Sequence, residues 1–147
     1  MSNQDGIKGE LEQLMANTYV TLMLTQKAHW HVEGKEFYAI HLMTEAQYDE
    51  MQKAIDDIAE HMRAKGLEVP SGMQQYASLS SIVLEPETMI STETMLAHII
   101  DAHSKVLENL EKLRGVASEN NDAASEDLAV ERIRVHNHHV WMLKSSR

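Results

Sequence analysis

Five residues between Gln26 and Gly66 have the side chains and the spacing of a metal site: His29, His41, Glu45, Asp56 and Glu60. His29 and His41 flank a turn near Gly34, and His41/Glu45 and Asp56/Glu60 are both i,i+4 pairs. Imidazole and carboxylate at helical spacing are how a helical bundle builds a metal centre. The chain has no cysteine, which excludes disulfides, thiolate zinc sites and cysteine nucleophiles. Two imidazoles and three carboxylates form a borderline-to-hard donor set that suits Fe(II), Mn(II) or Zn(II).

One chain cannot complete this site. On a helix at about 100° per residue, His41, Glu45, Asp56 and Glu60 share a face. Glu45 and Asp56, however, stand about 16 Å apart along the axis, while metal–ligand bonds are about 2 Å. Both His41/Glu60 and Glu45/Asp56 are centred between residues 50 and 51. A second copy packed antiparallel about a two-fold axis there would bring His41 to the partner's Glu60, and Glu45 to the partner's Asp56. His29, at the level of His41 across the turn, would join each site. The expectation is two identical sites per dimer, with an iron centre in each and zinc or manganese as alternative occupants.

The elements that must position these residues are helices. Leu11, Met15, Thr18, Leu22, Thr25 and His29 recur at steps of three and four, predicting a helix over about 7–32 that Gly34 stops. Phe37, Ile40, Thr44, Tyr48, Met51, Ile55, Ile58 and Met62 predict a second over 35–65, ended by Gly66. Residues 67–91 are too long for a tight turn and predict a crossover carrying a short helix near 73–78. Leu96, Ile99, His103, Val106, Leu110 and Leu113 predict a third long helix over 92–118 with Ser91 as N-cap. Asn120–Asp122 form a turn, and a fourth long helix over 123–143 should face Val130, Ile133, Asn137 and Val140 inward. The fold is thus an all-α four-helix bundle in one domain over 1–147, with residues 1–6 as a flexible arm. Two helices of an ordinary single-chain di-iron bundle supply Glu-x-x-His pairs; the third and fourth helices here have none.

The 147 residues carry a net charge of −10, which opposes binding to a phosphate backbone and attracts cations. No run approaches the ~18 apolar residues of a membrane helix. A soluble, cytoplasmic protein is expected.

The combination His29-Trp30, Gly34, Phe37, His41, Glu45, Asp56, Ala59 and Glu60, with Trp141-Met142-Leu143 near the end, resembles the Dps family, the mini-ferritins also called DNA-binding proteins from starved cells. The helix plan fits nearly the whole chain, and the dense motif covers residues 26–66. The resemblance implies a ferritin-like dodecameric shell with ferroxidase centres at two-fold interfaces. His29, His41 and Glu45 would come from one subunit, Asp56 and Glu60 from its neighbour. It implies Fe(II) oxidation, preferably by hydrogen peroxide taking one electron from each of two irons, with ferric mineral stored inside and protection against oxidative damage. Trp30 is placed beside the site, as a radical trap or as packing. The family has Asp where this chain has Glu45, and the extra methylene lengthens the reach toward a second iron. The arm MSNQDG has no basic residue, so DNA binding should be weak or absent, although DNA compaction is the alternative function.

Acids at the last turn, Asp122 and Asp127 above all, match pore-lining positions of the family, while helix capping is their ordinary role. Asp49 is a further candidate for mineral nucleation. His136 and His139 share a face at i,i+3 but lack a convergent carboxylate in the sequence, so no metal is expected there, and His138 has no assigned role. His103 reads as a hydrogen-bonded core residue. His31, His61 and His98 carry no assignment.

Overall fold

Apolar and threonine positions at three-four spacing produce five helices among the described residues: α1 (Asn3–His31), α2 (Phe37–Ala64), α3 (Met73–Leu79), α4 (Thr92–Glu119) and α5 (Ala123–Ser145). The structure is a computed structural model and describes residues 3–84 and 91–147, with no strand among them. Residues 1–2 of the expected arm and 85–90 of the expected crossover lie outside the described residues. Residues 3–6 are helical rather than an arm, continuing the first turns of α1.

α1 packs along both α2 and α4, and α4 along α5. One part of the core joins Leu11, Leu14 and Met15 of α1 to Met51, Ile58 and Met62 of α2 and to Val106, Leu110 and Leu113 of α4. The other gathers Ala28, Val32, Ile40, Leu96, Ile99 and Leu143 behind the α1–α2 turn. Each Leu, Ile, Val or Met among them contributes about 1.5–3 kcal/mol on burial. The buried threonines Thr18, Thr21, Thr25 and Thr44 fit this core because each hydroxyl donates to the carbonyl four residues back, at 2.6–2.7 Å.

Helix ends are set by specific caps. Ser91 Oγ accepts the Thr94 N–H at 3.1 Å. Gly66 has φ +78°, and the Leu67 N–H reaches the Met62 carbonyl while the Gly66 N–H reaches that of Arg63. This is a Schellman closure of α2. Asn121, at φ 56°, closes α4 in the same way, with the Asp122 N–H bonded to the Ala117 carbonyl. The crossover is pinned by buried Asn17, whose Oδ1 accepts from Ser81 N–H and Ser80 Oγ.

The expected inward faces hold in full on α1 and α4. On α2, Phe37 is exposed and Gln47 and Ala54 are buried instead. On α5 the expected face is rotated: Asn137 and Val130 are exposed, while Ala129, Arg132, His136, His139 and Leu143 are buried. The reason is that α5 buries polar groups that other helices satisfy.

Candidate metal centre

The turn between α1 and α2 puts His29 and His41 face to face. Their rings stack with centroids 3.8 Å apart and planes 14° from parallel. Each Nδ1 lies against the other's backbone carbonyl, His29 Nδ1 to the His41 oxygen at 2.7 Å and His41 Nδ1 to the His29 oxygen at 2.8 Å. A carbonyl only accepts, so both Nδ1 atoms carry the proton and both Nε2 atoms keep the lone pair that a metal needs. Tyr48 sets its ring edge on His29 at 5.2 Å. Desolvation, then the negative field of Glu45 and Asp49, pushes the Tyr48 phenol up.

Farther along α2, Asp56, Asp57 and Glu60 form a second group. They are exposed, and one carboxylate oxygen from each lies within 4.8 Å of the others. Neither imidazole belongs to that group. The chain therefore presents two separate donor sets on one helix hairpin, as the axial spacing required. Asp57 was not singled out by sequence, since it sits one residue off the Asp56/Glu60 face. Its pairing with Lys53 at 2.9 Å keeps one cation beside the acids. Glu45 is exposed one turn beyond His41. The donor set, two fixed imidazole lone pairs and clustered carboxylates, fits ferrous iron.

A groove of about 710 Å³ runs beside the acids, lined by Tyr19, Leu22, Ile55, Asp56, Ala59 and Tyr76 among others. At the far end of α2, Asp122 is already engaged within the chain. Its Oδ1 accepts the Ser125 N–H as the N-cap of α5, and its Oδ2 pairs with Lys65 at 2.5 Å. Desolvation opposes ionisation, but Lys65 and the Ser125 donors hold its carboxyl down to about 2. Asp127 is exposed. His61 donates to Ser125 Oγ at 2.8 Å, and Trp30 is 65% exposed, open to a neighbour or to solvent rather than packed.

Four long helices, a crossover helix and imidazole–carboxylate donors on one hairpin define a ferritin-like protein. The family described as Ferritin-like domain matches residues 8–146, and the chain belongs to it. Within that family it stands in the Dps branch. It superposes on Dps from Thermosynechococcus elongatus with a TM-score of 0.92 at 22% identity, covering 97% of this chain and 90% of that one. Dps from Vibrio cholerae O1, described as a member of a broad superfamily of ferritin-like diiron-carboxylate proteins, gives 0.88 at 26% identity over 97% and 89% of the two chains. Antigen TpF1 of Treponema pallidum is 28% identical over 134 residues, 91% of this chain and 76% of that protein. No helix among the described residues is long and apolar enough to cross a membrane.

Proposed function

We propose that this protein is a ferroxidase mini-ferritin that completes its iron centres between two subunits. Family membership supports iron storage and oxidative protection in general. The finer reading rests on one observation: His29 and His41 fix each other's Nδ1 protons and leave both Nε2 lone pairs free, while Asp56 and Glu60 of the same chain cluster apart from them. A second copy of α2, antiparallel about residues 50 and 51, brings Asp56 and Glu60 to that site, and Glu45 completes it. The groove along Tyr19, Ile55 and Ala59 receives the partner. The whole chain acts as one ferritin-like domain, and dimers assemble into a dodecameric shell.

Ferrous iron and hydrogen peroxide are the substrates. The protein's part is to gather two ferrous ions against the carboxylates, whose charge offsets that of the iron. Each ion gives up one electron. The peroxide O–O bond takes both and, with two protons, leaves as two waters, so no hydroxyl radical forms. Ferric product collects inside the shell. Asp127 lines the iron entry route, and Asp122 shapes the turn beside it.

Changing His29, His41, Asp56 and Glu60 together to Ala tests the assignment. Peroxide-driven Fe(II) oxidation, followed by ferric absorbance, should slow by about 100-fold or more, since even outer-shell changes at metal sites cost 10–100-fold. An unchanged rate would sink the site.

A further inference from the structure

The bundle interior contains a second set of metal-type donors, which the interface chemistry does not use. Glu50 of α2, His103 of α4 and His136 and His139 of α5 meet there, and the three histidines are buried. Their ring centroids are 5.1, 5.6 and 6.0 Å apart. A guanidinium sits in their midst. Arg132, itself only 7% exposed, bonds Glu50 through both terminal nitrogens, Nη1 to Oε2 and Nη2 to Oε1 at 3.0 Å. The same Nη2 donates to His136 Nε2 at 3.0 Å. His139 Nε2 donates to Glu50 Oε1 at 2.9 Å.

The proton positions follow from these bonds. A guanidinium only donates, so His136 Nε2 is a lone pair and its proton is on Nδ1. That proton goes to His103 Nδ1, 2.9 Å away. His103 thus holds His136 in the tautomer whose Nε2 points at a cation, the arrangement an outer-shell partner gives a metal-ligating histidine. The cation is the arginine's. Its Nη2 holds Oε1 and Nε2 at 3.0 Å, where a metal would draw them to about 2.0–2.2 Å.

We infer that Arg132 is a resident cation that closes the bundle interior to divalent metal and so confines iron to the subunit interface. Glu50, His136 and His139 are three potential ligands with His103 behind them; around the guanidinium their donor atoms are spread too widely to share one ion. His139, which now donates through Nε2, would carry its proton on Nδ1 to bind a metal, so Arg132 is the specificity-determining residue that keeps the group from closing on one. The inference deepens the interface reading and rests on it only in placing the iron elsewhere.

The test uses full-length chains carrying His41→Ala and Glu60→Ala, so that the interface cannot bind, and Co(II) as the probe, read by its visible absorption and by thermal melting. With Arg132 intact, no cobalt–imidazole bands and no cobalt-dependent stabilisation should appear. Adding Arg132→Met should raise cobalt affinity on the order of a hundredfold or more, since a unit positive charge a few ångströms away is removed. One cobalt per chain should bind, and the bands should vanish on further changing His136→Ala. Arg132→Lys, which keeps the charge, should stay silent. If Arg132→Met is unfolded alone, cobalt must restore its helical signal. Cobalt bound by the Arg132 chain in a manner lost with His136→Ala overturns the inference, and so does an Arg132→Met chain that takes up or responds to none. Iron oxidation is not read, so either outcome leaves the interface reading to its own test.

Discussion

The buried histidines are the residues most sensitive to proton activity. Burial, reinforced by the neighbouring His139 and Arg132, depresses His103 to about 3, and burial with His103, Arg132 and His139 beside it depresses His136 well below its ordinary value. Both are neutral in the fold but protonate near 6.5 once unfolded. The unfolded state therefore binds more protons below that value, and stability falls as pH drops from about 6.5 toward the depressed values. Glu50 adds to the loss lower down. Desolvation opposes it, but bonds from His139 and Arg132 hold its carboxyl at about 2, so its contribution disappears between about 4.5 and 2. Each ring adds up to about 1.4 kcal/mol per pH unit. The melting temperature should decline steadily between pH 6.5 and 5, and a His103→Gln/His136→Gln double variant should decline less. A flat wild-type profile across that interval would exclude these rings as the acid-sensitive groups. The spacing placed His103 in the core, but nothing in the sequence marked its buried partners, since hydropathy places Arg132 and His136 at the surface. Their burial depends on Glu50, which lies more than eighty residues earlier in the chain.

At the scale of elements, α1 and α4 were readable from spacing because most of their buried positions are aliphatic or threonines that satisfy themselves one turn back. α5 was readable in extent but not in face, because Arg132, His136 and His139 take their partners from α2 and α4. The meeting of His29 and His41 was legible as residues at matching levels across a turn. The carbonyl partners that fix its protons were not, since backbone acceptors leave no trace in residue types. Helix ends were the most legible feature of all. Gly66 has a left-handed φ and open space where a Cβ would stand, so a side chain there meets no clash and only backbone strain. Gly66→Ala should destabilise by about 1 kcal/mol, the left-handed penalty of about 1–2 kcal/mol less the gain from a stiffer unfolded chain. That lowers the melting temperature by about 2–4 °C in calorimetry. Gly66→Asn should cost less, because Asn tolerates that conformation. Equal losses would place the cost in packing instead.

For the whole molecule, net charge decides which polymers it meets. At −10 per chain, the surface repels a phosphate backbone. A gel-shift at about 150 mM salt, where electrostatic contacts are already weakened, should show free DNA at micromolar protein. Retarded DNA there would revive compaction as a function. Assembly bears on the iron chemistry in a different way. The His29–His41 pair spans only twelve residues of chain, and a loop of that size closes in about 10–100 ns. Under the interface reading, each newly made subunit forms its imidazole pair before it finds a partner, yet holds Asp56 and Glu60 where that pair cannot use them. Under the interface reading, catalysis is second order in protein at high dilution: turnover per chain should fall as subunits separate and recover on reconcentration, following the dimer population in sedimentation. A chain whose turnover did not change on dilution into monomers would be working alone. Under the interface reading, by contrast, a lone subunit emerging from synthesis is redox-silent, and the capacity to oxidise iron arises only together with the container that holds the product.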